Sequence, residues 1–162
     1  MNTWFYQAAK IVTAMLALVV LSLSASPAFA STPAPQTAAA ILAEHPGGEE
    51  IAPGVISWDN GAVVLTLADA ASPDTVGTCA TGQYCAWSGT SYTGTKLAFT
   101  ACSSAGTSSS LSLLGGVVRS TANARSSGHV DAKNGSTLVY SMAAGTGHPT
   151  NSSTLTSLVC FT

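Results

Sequence analysis

The side chains of this 162-residue sequence with the most chemistry to offer are four cysteines, three histidines and seven carboxylates. His45 stands before a Pro-Gly-Gly turn and His148 before Pro149, which places both on loops, whereas His129 falls in a strand-like run. A serine relay needs its nucleophile on a sharp elbow, and no Gly-x-Ser-x-Gly occurs. Carboxylate-pair hydrolysis needs two acids across a cleft, yet every acid except Asp131 lies at or before Asp74. Phosphate loops and dinucleotide fingerprints are absent too. The reading is a protein that is not an enzyme and uses no cofactor. Cys79, Cys85, Cys102 and Cys160 remain. The Cys79–Cys85 spacing is wider than a zinc knuckle uses and no histidine sits at ligand spacing, so no metal site is expected. An even cysteine set in an exported chain reads as two disulfides. Three pairings are open. The most economical joins Cys79 to Cys85 as a local clasp and Cys102 to Cys160 as a long closure, worth about 2 and about 4 kcal/mol through loop entropy.

The oxidising compartment follows from residues 1–30. Lys10 precedes an apolar run from Ile11 to about Ala25, Pro27 breaks it, and Ala28-Phe29-Ala30 offers a small-x-small cleavage site before Ser31. The run is short for a helix crossing about 30 Å of hydrocarbon. A cleaved, secreted chain without a membrane anchor is expected. About 130 residues then remain, enough for one domain. Charged residues make up 7% of the sequence, and after Lys10 the only cations are Lys96, Arg119, Arg125 and Lys133. Nucleic-acid binding needs clustered Lys and Arg to displace counterions, so that class is excluded. Solubility falls to Ser, Thr, Asn and Gly, which favour strands and turns over helices. A monomer is expected.

Along the mature chain, Thr37–Glu44 has the pattern of a short helix with Thr37 at its N-cap and His45-Pro46-Gly47-Gly48 as its stop. Asp59-Asn60-Gly61 joins Val55–Trp58 to Ala62–Leu67 as a hairpin, and Asp69–Gly77 reads as a linker. Beyond Cys79 the expected strands are Gln83–Trp87, Lys96–Thr100, Val117–Ala122, Gly128–Ala132, Thr137–Met142 and Leu155–Phe161. Ser103–Ser110 and Gly145–Ser153 read as connectors, and Asn134-Gly135 as a second hairpin turn. Turns about every ten residues predict an all-β sandwich or barrel. The expected organisation is a signal at 1–30, an N-terminal extension of short helix, hairpin and linker at 31–78, and the main domain at 79–162.

One stretch carries a family resemblance. Trp87 is followed by Tyr92 and then Gly94, a spacing that resembles the Greek-key signature of βγ-crystallins. In that family the glycine permits a folded hairpin on which the aromatics pack. Together with Cys79–Cys85 and Val117–Asn123, it looks like the streptomycete metalloproteinase inhibitor type of secreted peptidase inhibitor. The resemblance spans roughly Cys79 to Tyr140. It implies a βγ-crystallin-like Greek-key sandwich and a disulfide-rigidified loop that blocks the cleft of an extracellular peptidase. Candidate loops are Ser88–Thr93 and Ala143–Ser153, with Gly89, Ser91, His148 and Phe161 as candidate contacts. The alternative is a non-catalytic extracellular module that is structural or binds calcium or carbohydrate. Asn123, Ser126 and Ser127 fit part of a crystallin-type calcium run, in which Ala122 replaces the first ligand.

Overall fold

The computed structural model describes residues 36–68 and 79–162. The export signal expected at 1–30, residues 31–35 of the N-terminal extension, and the linker with Asp69 and Asp74 lie outside the described residues.

Thr37 opens helix α1 (Ala38–Glu44), its hydroxyl oxygen accepting the Ala40 amide at 3.2 Å. Seven residues do not hold a helix in water. Burial of Ala38 and Ile41 in the core holds this one. His45 ends it, and the next residue, Pro46, has no N–H to continue the ladder.

Eleven strands follow: β1 (Glu49–Ala52), β2 (Val55–Trp58), β3 (Val63–Thr66), β4 (Tyr84–Trp87), β5 (Lys96–Phe99), β6 (Thr107–Ser110), β7 (Ser120–Asn123), β8 (His129–Asn134), β9 (Thr137–Ala143), β10 (Thr146–His148) and β11 (Ser157–Phe161). They form a seven-stranded sheet in the order β1-β2-β3-β5-β4-β7-β10 and a four-stranded sheet in the order β6-β11-β8-β9. Neighbouring strands are antiparallel throughout. The fold is an all-β sandwich, with Leu65, Tyr84 and Leu97 of one sheet sharing a core with Val130, Met142 and Leu158 of the other.

The chain order explains why the two layers do not separate into halves. β5, β4 and β7 are side by side, but the intervening β6 crosses to the other sheet. β9, β8 and β11 repeat that logic and send β10 back to the first sheet. Each sheet is therefore completed by a strand from the opposite four-strand unit, and in each unit the fourth strand lies beside the first, as in a Greek key. The β2–β3 hairpin extends the larger sheet through β3, which pairs with β5 from Val63↔Phe99 to Thr66↔Lys96.

Sequence periodicity misplaces three elements. Ser103–Ser110, expected as a connector, contains β6, and Gly145–Ser153 contains β10. Both are short strands of Ser, Thr, Gly and His, without the apolar alternation that marks a half-buried strand. The strand expected at Val117–Ala122 starts only at Ser120. Val118 is buried from a loop, while the ladder itself carries buried Ser120, Thr121 and Asn123.

Candidate functional site

The larger sheet is buried on both faces where β4 and β5 pair. Alternate side chains of a strand point to opposite faces. Tyr84 and Ala86 enter the main core, while Cys85 and Trp87 enter a second, smaller cluster with Ala98, against which Cys79, Tyr92 and Ala122 pack. The Cys79–Cys85 disulfide sits in this second cluster, and Cys102 is bonded to Cys160. The small cluster is roofed by the β4–β5 connection, residues 88–95. This connection is one of the two loops singled out by sequence.

Its conformation is fixed residue by residue. The Ser88 amide donates to Thr95 O at 3.0 Å, and the Thr95 amide returns a bond to Ser88 Oγ at 2.9 Å. The Gly89 amide donates to Thr93 O at 2.9 Å, which folds the hairpin back on itself. Gly94 has φ +80°, and a Cβ there would lie 2.6 Å from Ser88 Oγ. A Cβ at Gly89 would strike the Thr93 hydroxyl. Ser91 and Tyr92 take left-handed φ values of 53° and 61°, which turn the chain sharply at the tip. The turn lowers Tyr92 onto Trp87, edge to face, with ring centroids 5.1 Å apart. The connection is thus a folded hairpin with its two aromatics packed together.

Ser120, fully buried on β7, ties the loop down. Its hydroxyl donates to Gly89 O at 2.7 Å and accepts the Tyr92 amide at 3.0 Å. Sequence reading missed this residue, because one serine in a hydroxyl-rich chain carries no signal of its own.

The second candidate loop lies against the first. The Ser91 amide donates to Pro149 O at 2.6 Å. Asn151 holds that second loop in place: its side-chain amide donates to Val118 O at 2.9 Å and to Ser153 O at 2.7 Å, and its backbone amide donates to Arg119 O at 2.6 Å. Between the loops is a depression of about 390 Å³ lined by Thr90, Arg119 and Thr150–Ser152. The structure thus brings Gly89, Ser91 and Pro149 to one place, with His148 beside them at the end of β10, paired with Thr121 rather than on the expected loop. Ser91 is exposed, Gly89 is half-buried, and His148 is half-buried with its ring 4.1 Å from that of Tyr140. Burial raises the Tyr140 phenol above its usual value, against the opposing pull of its hydrogen bond to Thr121.

Phe161 is elsewhere. It pairs with His129 in the smaller sheet and stacks on that ring at 4.7 Å, a strand residue rather than a free chain end. Asn123 is buried, and both ends of its amide are engaged, one donating to Met142 O at 3.1 Å and the other accepting the Arg125 amide at 3.2 Å. Ser126 and Ser127 are exposed beside it. Among the described residues no cluster of His, Cys, Asp or Glu has the makings of a metal centre, and no helix is long and apolar enough to cross a membrane. The two disulfides suit an oxidising compartment. No family model, curated protein or solved structure matches this chain.

Proposed function

We propose that the protein is a secreted peptidase inhibitor whose paired connections, 88–93 and 143–153, the second of which carries β10, obstruct the active-site cleft of an extracellular peptidase, with metallopeptidases the leading class. One observation carries the reading: an exposed tip, Ser91, sits on a loop held by a disulfide-backed aromatic cluster below, by Ser120 from behind and by Pro149 from the side. Binding by such a loop loses little conformational entropy. Peptidases take substrates as extended strands, as in strand-addition recognition. Consecutive left-handed residues at Ser91 and Tyr92 keep this tip from that shape. The loop would act as a wedge that fits the cleft without presenting a scissile bond.

The second reading is a non-catalytic crystallin-like structural module. It is supported by Trp87, Tyr92 and Gly94 all being engaged in internal packing. Titration of the oxidised protein into a thermolysin-like metallopeptidase and a subtilisin-like peptidase separates the two. Loss of activity near one equivalent, abolished by reducing the disulfides, supports inhibition. Full activity of both enzymes beside an intact domain rejects it.

A further inference from the structure

A groove of about 540 Å³ runs along β6 on the side of the molecule occupied by α1 and the β2–β3 hairpin. Trp58, Val63, Phe99 and Leu113 supply its apolar walls. All four residues of β6, Thr107 to Ser110, also line it. Successive strand side chains point to opposite faces, so no cavity on one face of a strand touches four in a row. The groove therefore runs against the edge of β6.

That edge is free. β6 pairs only with β11 and is the outermost strand of the smaller sheet. The Leu111 amide donates to Thr156 O, continuing the β6–β11 register. Hydrogen-bonded and non-bonded pairs alternate in an antiparallel ladder. Ser109 and Thr107 therefore exchange bonds with β11, and the N–H and C=O groups of Ser108 and Ser110 point outward. Those outward backbone groups have no partner among the described residues. The strand is short, four small hydroxyl residues, and carries no Lys, Pro or bulge that would block its edge against a short partner strand.

Charge selects the occupant. Of the five described carboxylates, Glu44, Glu49, Glu50 and Asp59 fall between residues 44 and 59, and Glu44 and Asp59 line the groove itself. Among the described residues no Lys or Arg lines it. We infer that this groove docks an extended, basic polypeptide segment, which adds as a strand to the free edge of β6 while its apolar side chains meet Trp58 and Leu113. Four residues of edge amount to about 13 Å, so the segment is about four or five residues long. This site is independent of the peptidase-blocking loops and stands or falls without them.

The test is titration of the purified oxidised protein with a fluorescein-labelled Lys-Val-Lys-Val-Lys peptide, followed by anisotropy and by Trp58 emission. The site predicts saturable binding with a Trp58 emission change. Ser108→Pro removes an outward N–H that the fold does not use. It should keep the wild-type circular dichroism and melting temperature yet abolish binding. A Glu44→Gln/Asp59→Asn pair should weaken binding about ten-fold at low salt and less at high salt, as for exposed charges. Binding unchanged by Ser108→Pro in a folded variant would overturn the inference. So would equal binding of a Glu-Val-Glu-Val-Glu peptide, preferential binding of a neutral oligosaccharide, or edge-to-edge dimerisation of the protein in place of peptide binding.

Discussion

Ser120→Ala removes one oxygen and disturbs two backbone groups at once. In the native loop that oxygen satisfies Gly89 O at 2.7 Å and the Tyr92 amide at 3.0 Å, from a side chain with no solvent exposure. Alanine has no donor or acceptor to replace it, and the vacated space is the size of one hydroxyl. The loss is two hydrogen bonds plus the desolvation of two groups left without partners, about 2–4 kcal/mol in total. For a domain of this size that lowers the melting temperature by on the order of 10 °C. Urea unfolding of the oxidised protein measures the first quantity. Site-resolved hydrogen exchange measures its location, because the Tyr92 amide should lose protection while strand amides of β8 and β9 keep theirs. Ser126→Ala, at an exposed position, is the control and should change stability by less than about 0.5 kcal/mol. A Ser120→Ala protein as stable as that control, with Tyr92 still protected, would refute the claim that this serine pins the loop.

Other consequences can be measured separately. Gly94→Ala places a Cβ 2.6 Å from Ser88 Oγ at φ +80°, so it should cost about 2 kcal/mol or more and weaken the near-ultraviolet circular dichroism of the Trp87–Tyr92 pair. Replacing Cys102 and Cys160 by alanine should destabilise by about 4 kcal/mol against about 2 for Cys79 and Cys85, since the closed loops differ so much in length; urea midpoints check the order. Burial raises the Tyr84 and Tyr140 phenols above 10.0. The unfolded chain therefore loses those protons first, the folded chain binds more protons in that window, and stability falls as pH rises from about 10 until the folded phenols ionise. Lys96, lowered by burial, has the opposite sign, because its contribution is complete above 10.5 and declines as pH drops through its folded value. Tyr84→Phe should be less stable near neutrality, having lost its bonds to Ala101 O and Ser109, but should decline less steeply in alkali in a pH series of unfolding curves.

Much of this fold is legible in the sequence where local chemistry and tertiary packing agree. Thr37 followed by an alanine-rich run and then Pro46 marks α1, and Asp59-Asn60-Gly61 marks a turn because each of the three residues takes a left-handed φ there. Asn134-Gly135 marks the β8–β9 hairpin, although register places the two-residue turn at Gly135-Ser136. The illegible parts are those in which polar residues do structural work. β6 is a strand because Ser109 meets the Tyr84 hydroxyl at 2.8 Å and β11 supplies a ladder, neither of which Thr-Ser-Ser-Ser announces. β7 carries its burial on Ser120, Thr121 and Asn123, so hydrophobicity points to Val117 and Val118 instead. For the site, Trp87, Tyr92 and Gly94 could be found by spacing. The residues that fix the loops, Ser120 and Asn151, could not, because their value lies in distant backbone partners.

The measurement that bears most directly on the proposed function is the inhibition constant of the oxidised protein against a thermolysin-like metallopeptidase, taken beside that of Thr90→Arg. Thr90 is exposed on the loop and lines the depression between the two tips, so a bulky cation there should obstruct docking and leave the fold unchanged. Stoichiometric inhibition by the wild type and at least a ten-fold weaker constant for an equally stable Thr90→Arg would place the blocking surface on these loops. Inhibition that Thr90→Arg leaves untouched, or no inhibition by either protein, would contradict it.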